Sequence, residues 1–293
     1  IFMAEGSDIL RFAKGAVHQT IYFPEVKAFH VLLPPIAEQH RIVAKVDELM
    51  ALCDTLEQQQ EDSIQAHETL VEALLEALTS AVDADAFHSA WQRISEHFDV
   101  LFTTEHSIDK LKETILQLAV MGKLVPQDPN DEPASVLLDK VAAEKDQLIK
   151  QRALKNHKST PMLEGQEFSS HIPEGWELTS LSQIAQIQAK NDLSDNTNVS
   201  FVEMSSISTK HDGSHTQESR EWVEVKKGYT HIKNGDIGLA KVTPCFENSK
   251  AAIFRGLING YGAGTTELHV ARLLSNQISA DFILYHLKSV RFL

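Results

Sequence analysis

Cysteine is nearly absent. Cys53 and Cys245 lie far apart and neither sits in a Cys-x-x-Cys pair, which argues against a disulfide framework or a zinc site and fits a reducing cytoplasm. No apolar run approaches the roughly 20 residues that cross a bilayer, so no membrane association is expected. The opening residues carry no basic segment followed by an apolar stretch and a small-residue cleavage site, and no secretory leader is expected. The most telling absence is internal. Between Pro35 and Gly122 there is neither glycine nor proline, 86 consecutive residues without a breaker, which favours long helices.

The charge is one-sided and localised. The net charge of −14 looks wrong for a nucleic-acid binder, but residues 36–155 hold 23 acidic against 11 basic side chains and account for almost all of it. An acidic helical segment faces water or another protein, not a phosphate backbone. Residues 165–293 hold 14 acidic against 12 basic side chains, so a local basic face is possible there.

The chain reads as an α+β protein. Residues 1–35 suggest a short helix near 7–14, a turn at Gly15 and an apolar stretch His30–Leu33 closed by Pro34-Pro35. A helix is expected from Ile36 to about Ala81. Its seam is Val46, Leu49, Cys53 and Leu56, then Leu70, Leu74, Ala77 and Ala81, with a polar gap at Gln60, Ser63 and His67. That is a heptad pattern with a register-setting break. A helix of that length needs a partner along it. A second amphipathic stretch puts Phe87, Trp91, Ile94, Phe98 and Leu101 on one face. A third helix is expected with Ser107 as its cap and Gly122 as its end, and a fourth from Glu132-Pro133 to about Arg152. Residues 153–170 read as a polar linker. From Ile172 short alternating runs predict strands at Val199–Met204, Glu221–Val225, Asp236–Val242, Ala251–Phe254 and Glu267–Ala271, and Asp281–Leu293 reads as helix.

Four segments resemble the specificity subunits of type I restriction–modification enzymes. Leu33-Pro34-Pro35-Ile36-Ala37-Glu38-Gln39-His40-Arg41-Ile42-Val43 resembles the junction between a target-recognition domain and the long spacer helix. Leu116-Gln117-Leu118-Ala119-Val120-Met121-Gly122-Lys123-Leu124-Val125-Pro126-Gln127-Asp128-Pro129 resembles the second spacer segment. Ile172-Pro173-Glu174-Gly175-Trp176-Glu177-Leu178 resembles the entry to a recognition domain. Ala240-Lys241-Val242-Thr243-Pro244-Cys245-Phe246-Glu247-Asn248-Ser249-Lys250 with Gly264-Thr265-Thr266-Glu267 resembles that domain's own signature. The resemblance implies long antiparallel helices, coiled-coil-like, joined to a small mixed α/β target-recognition domain. Its divisions are a recognition-domain tail at 1–35, a helical spacer at 36–155, a linker at 156–170 and an incomplete recognition domain at 171–293. It also implies a fragment, or a permuted half-subunit that pairs with a copy of itself.

The same resemblance implies a non-catalytic role with no cofactor of its own. The partners would be double-stranded DNA and the methyltransferase and restriction subunits, which bring S-adenosylmethionine, ATP and Mg²⁺. The helices would act as a ruler: about 65 Å matches about two turns of B-DNA at ~34 Å per turn.

Individual residues carry competing readings. In Lys241–Lys250, the cations Lys241 and Lys250, the Thr243 hydroxyl and the Asn248 amide suit base edges or phosphates. The alternative is a structural hairpin, with Glu247 paired to Lys241 and Cys245 and Phe246 in the core. Ser206 and Lys210, in the polar run after the first strand, offer a hydroxyl and a cation, or form a solvated loop. Thr265 and Thr266 close the glycine-rich stretch from Gly260, read as a packing bend or a place for DNA-backbone approach. His211 and His215 share a four-residue spacing but flank Gly213, and chance is the better reading.

Two other classes compete. One is a coiled-coil oligomerisation scaffold with a domain that does not bind DNA. The other is a stand-alone Mg²⁺-dependent nuclease built from Asp212, Glu224 and Lys226, a short pattern that Glu25-Val26-Lys27 repeats. A methyltransferase is excluded by the absence of a glycine-rich cofactor loop and of an Asn/Asp-Pro-Pro-aromatic motif.

Overall fold

The computed structural model describes residues 31–151, 154 and 172–289. The expected helix near 7–14, most of the linker and the last four residues lie outside the described residues. The chain divides into two units, one up to Ala66 and one from His67 onward.

Helix α1 (Ile36–Ser80) has 45 residues, about 65–70 Å at 1.5 Å per residue. Its first turn bonds back to the preceding carbonyls: the amides of Glu38 and Gln39 donate to Pro35 O, and Gln39 Nε2 donates to Pro34 O at 2.7 Å. Every residue from His40 to Ala66 is exposed. The apolar residues Ile42, Val46, Leu49 and Leu56 are between 45% and 55% exposed.

In the second unit the end of α1 joins α2 (Ala84–Glu96), the single turn α3 (Phe98–Leu101) and α4 (Glu105–Val120). His67 contacts Val100 O at 3.3 Å, and Lys123 Nζ donates to Thr79 O and Ala81 O. So α2 runs back along α1, and α4 returns in the direction of α1. Val71, Leu75, Leu78, Ala90, Ile94, Leu101 and Leu118 form the core between them.

This rotates the expected seam. Val71, Leu75 and Leu78 are buried and Leu70 and Ala77 are exposed, while of the expected seam Leu74 packs against the core and Ala81 is buried. Packing against two helices takes a wider stripe than the a/d seam of a coiled coil. The second amphipathic stretch is broken at His97, which ends α2. The cap of α4 is Thr104, with Ser107 bonding back from the third helical position in a reciprocal capping box, so the expected cap sits one turn inside the helix.

Helix α5 (Ala134–Lys150) leads through the single turn α6 (Leu181–Ile184) to the strands and, between two of them, the single turn α7 (Trp222–Val225). One four-stranded sheet has the order β1 (Ala185–Ile187), β8 (Leu268–Leu273), β5 (Ile237–Ala240), β6 (Ala251–Ile253), all antiparallel. The other has the order β3 (Glu218–Glu221), β2 (Asn198–Val202), β7 (Tyr261–Gly264), β4 (Thr230–Lys233), with β2 and β7 parallel. The C-terminal helix α8 (Ala280–Lys288) packs on β6 and on α4. Lys145 Nζ donates to Ser182 O, and Ala134 N donates to Gly175 O, which ties α5 to the same body.

Two strand expectations change. Glu221 ends β3, and Trp222–Val225 is a helical turn that buries Trp222 and Val225 on one side. The glycine-rich stretch is no loop: Gly262 and Gly264 lie in β7, an inner strand. A Cβ on Gly262 would collide with Ser200 O, so close strand packing explains that glycine.

One polar network joins the sheets. Arg272 on β8 donates from Nε and one Nη to both oxygens of Asp236, each at 2.8 Å, and from the same Nη to Asn191 Oδ1 at 2.9 Å. Asp236 also accepts from Lys233 N. Asn191 Nδ2 donates to Ile232 O, and its backbone amide donates to His231 Nδ1. Burial pushes the Asp236 carboxyl up, against the opposing pull of Arg272.

Removing the carboxylate leaves an uncompensated charge in a mostly buried site. Asp236→Ala is expected to lower stability by about 3–5 kcal/mol in urea unfolding. The exposed change Asp54→Ala stays within about 0.5 kcal/mol.

Candidate nucleic-acid interface

Strand register brings three segments to one end of the two sheets. The C-terminal end of β2 at Val202 lies beside that of β7 at Gly264. The end of β5 at Ala240 pairs with the start of β8 at Leu268. The 203–217 excursion, the β5–β6 loop at 241–250 and the β7–β8 turn at 265–267 therefore leave from neighbouring positions. Backbone bonds bind them further: Lys241 N donates to Glu267 O at 3.0 Å, and Ala240 N to Lys250 O at 2.9 Å.

The 205–216 excursion is a small ladder. Ile207 bridges His215, Ser208 N donates to Ser214 O, and Thr216 N donates to Ser206 O. Gly213 closes its turn at φ +59°, and a Cβ there would strike Leu284. The 241–250 loop is a chain of tight turns: Phe246 N to Val242 O, Asn248 N to Pro244 O and Lys250 N to Cys245 O.

Two lysines tie the excursion to the β5–β6 loop. Lys250 Nζ donates to Met204 O at 3.0 Å. Lys288 Nζ donates to Ser249 O at 2.9 Å, Ser208 O at 3.3 Å and Thr209 O at 3.4 Å.

Over 189 residues the chain is 57% identical to the Type I restriction enzyme EcoAI specificity subunit of Escherichia coli. The EcoEI specificity subunit of the same organism is 55% identical over 189 residues. Over these residues the chain is similar to type I specificity subunits. Each match covers 64% of this chain and 32% of the relative, so the chain spans about a third of the length of the curated relatives it matches. No family model matches it.

The expected contact residues fall into two groups. Thr243, Asn248, Thr266 and Lys210 are exposed. Lys241 is 37% exposed along its side chain and lies 4.0 Å from Glu267, not beside Glu247. Cys245 and Phe246 are only half-buried. The second group is turned inward. Lys250 is committed to Met204 O, Thr265 Oγ1 accepts from Glu267 N at 3.2 Å, and half-buried Ser206 carries the ladder through its backbone.

The three segments also carry Glu203, Asp212, Glu247 and Glu267. Backbone donation from Ser214 holds the Asp212 carboxyl below its usual range. This surface is therefore polar and mixed in charge, not a basic patch.

Lys226 is paired with Asp195 at 2.6 Å. Among the described residues no group of three His, Cys, Asp or Glu side chains could hold a metal ion. His215 Nε2 accepts from Arg255 N, and its Nδ1 is buried without a partner. No described helix is long and apolar enough to cross a membrane. Lys288 escaped the sequence reading. Its only signal there is one cation closing an otherwise apolar helix, which looks like an ordinary last-turn charge.

Burial lowers the pKa of both His215 and His231 below the ordinary 6.5. The unfolded chain then binds protons that the folded chain refuses. This stability is fully present above pH 6.5 and is lost as pH falls through the lowered values. Urea midpoints are expected to drop as pH falls below 6.5, with a shallower drop in His231→Gln.

Proposed function

We propose that this chain supplies sequence specificity to a type I restriction–modification complex and performs no chemistry itself. Segment 171–293 acts as the reading head for one half of a bipartite site in double-stranded DNA. The helices of 36–155 serve as spacer and as docking surface for methyltransferase subunits, which with restriction subunits carry the catalysis in the cytoplasm. Residues 1–35 would be the tail of another recognition domain, and 156–170 a linker. The observation that carries this reading is the convergence of three polar loops, bearing exposed Lys210, Thr243, Asn248 and Thr266, at one end of two joined sheets.

The charge balance supports a division of labour. Phosphate neutralisation supplies most non-specific affinity, and this head offers few uncommitted cations to it. Asn and Thr side chains discriminate base edges with little charge. Phosphate affinity then comes mainly from partner subunits. The exposed apolar residues Ile42, Val46, Leu49 and Leu56 suit helix pairing, with a partner subunit or with a second copy.

The test is a mobility shift with a randomised 30-base-pair duplex pool, followed by sequencing of the bound fraction. The chain alone is expected to bind only at about 1–100 µM, whereas the complex with methyltransferase subunits enriches a motif. Thr243→Ala or Asn248→Ala is expected to relax one motif position by about 1–3 kcal/mol. Lys241→Ala or Lys210→Ala lowers the salt slope by about 1. An unchanged motif and slope in all four variants would remove these residues from the interface.

A further inference from the structure

We propose that Lys288 is a positioning residue for base readout, an internal tie that sets the register between the 205–216 excursion and the 241–250 loop. The inference rests on the DNA-reading role proposed above.

Lys288 ends α8 and is 5% exposed. An ammonium has three protons and no acceptor, and here three backbone carbonyls receive them. Two belong to the excursion, at Ser208 and Thr209, and one to the β5–β6 loop, at Ser249. The positions matter. The Thr209 carbonyl belongs to the peptide that enters Lys210, and the Ser249 carbonyl lies one residue beyond Asn248. The tie therefore grips the backbone directly beside two exposed side chains on different loops.

The rest of the surroundings explains why a charge is kept there. Gly213 lets the turn close onto Leu284 of the same helix. Burial lowers the Lys288 pKa to about 8, opposed by the Asp212 carboxylate, so the side chain remains an ammonium at neutral pH. A methionine fills similar volume but donates nothing. The three carbonyls would then seek water, and the two loops would lose their common anchor. Lys250, through Met204 O, is a second and more accessible tie between the same segments.

The experiment uses the complete subunit assembled with its methyltransferase partners and the randomised 30-base-pair pool. Lys288→Met is expected to cut enrichment at the positions of one half-site at least tenfold. Affinity for the unselected pool and the salt slope stay unchanged, because no phosphate contact is lost. Amide exchange rises within 205–216 and 241–250 and not in β2, β5 or β8. A general loss of stability would raise exchange everywhere and leave the enriched motif intact.

If Lys288→Met does not fold, Lys250→Met takes its place with the same expected outcome. A lowered salt slope with an intact motif in that variant would make Lys250 a phosphate contact and overturn the tie. An unchanged motif together with unchanged loop protection overturns the proposal. If the wild-type complex enriches no motif, the DNA reading itself fails, and the exchange measurement still decides whether Lys288 holds the loops.

Discussion

The two small sheets are fixed to one another by a polar network in which the Arg272–Asp236 pair of one sheet is joined to β4 of the other through Lys233 N and Asn191. The excursion at 203–217 grows from one sheet, the loop at 241–250 from the other, and the turn at 265–267 crosses between them. A shift of one sheet against the other would separate all three. The bidentate pair fixes both distance and orientation, because a planar fork and a carboxylate match in only a few geometries. Asn191 and His231 extend the same network to β4. Such a pair adds little net stability over a well-packed apolar equivalent. Its contribution is alignment, and the strands around it are only three to six residues long.

The use of cations follows the same logic. Of the lysines in and beside the three loops, Lys250 and Lys288 are turned inward onto carbonyls, Lys241 lies near Glu267 and Lys210 is exposed. A surface built to hold phosphate would leave more of them free. A surface built to present an amide and hydroxyls in fixed positions would use them as internal ties. The four carboxylates on the same segments point the same way, since they oppose indiscriminate attraction to a polyanion.

The helical part obeys a different economy. The end of α1 is packed by α2 and α4 through a wide apolar stripe, while its first thirty residues leave apolar side chains in solvent. A 45-residue helix is not sustained by propensity alone. The exterior of 36–155 is acidic, which opposes approach to a polyanion.

Much of this was legible in the sequence. The 86 residues without glycine or proline marked the long helix, Gly122 marked a helix end, and four segments carried the resemblance that the relatives then supported. Helix length and turn position follow from local chemistry, so the chain's order of residues was enough. The rotation of the α1 stripe, the strand role of Gly262 and the inward turn of Lys250 were not legible. Each depends on what approaches from a distant part of the chain: α2 and α4 for the stripe, Ser200 for the glycine, Met204 for the lysine. Local sequence fixes which side chains are available, whereas only tertiary packing decides which are consumed as internal bonds and which remain to meet a partner.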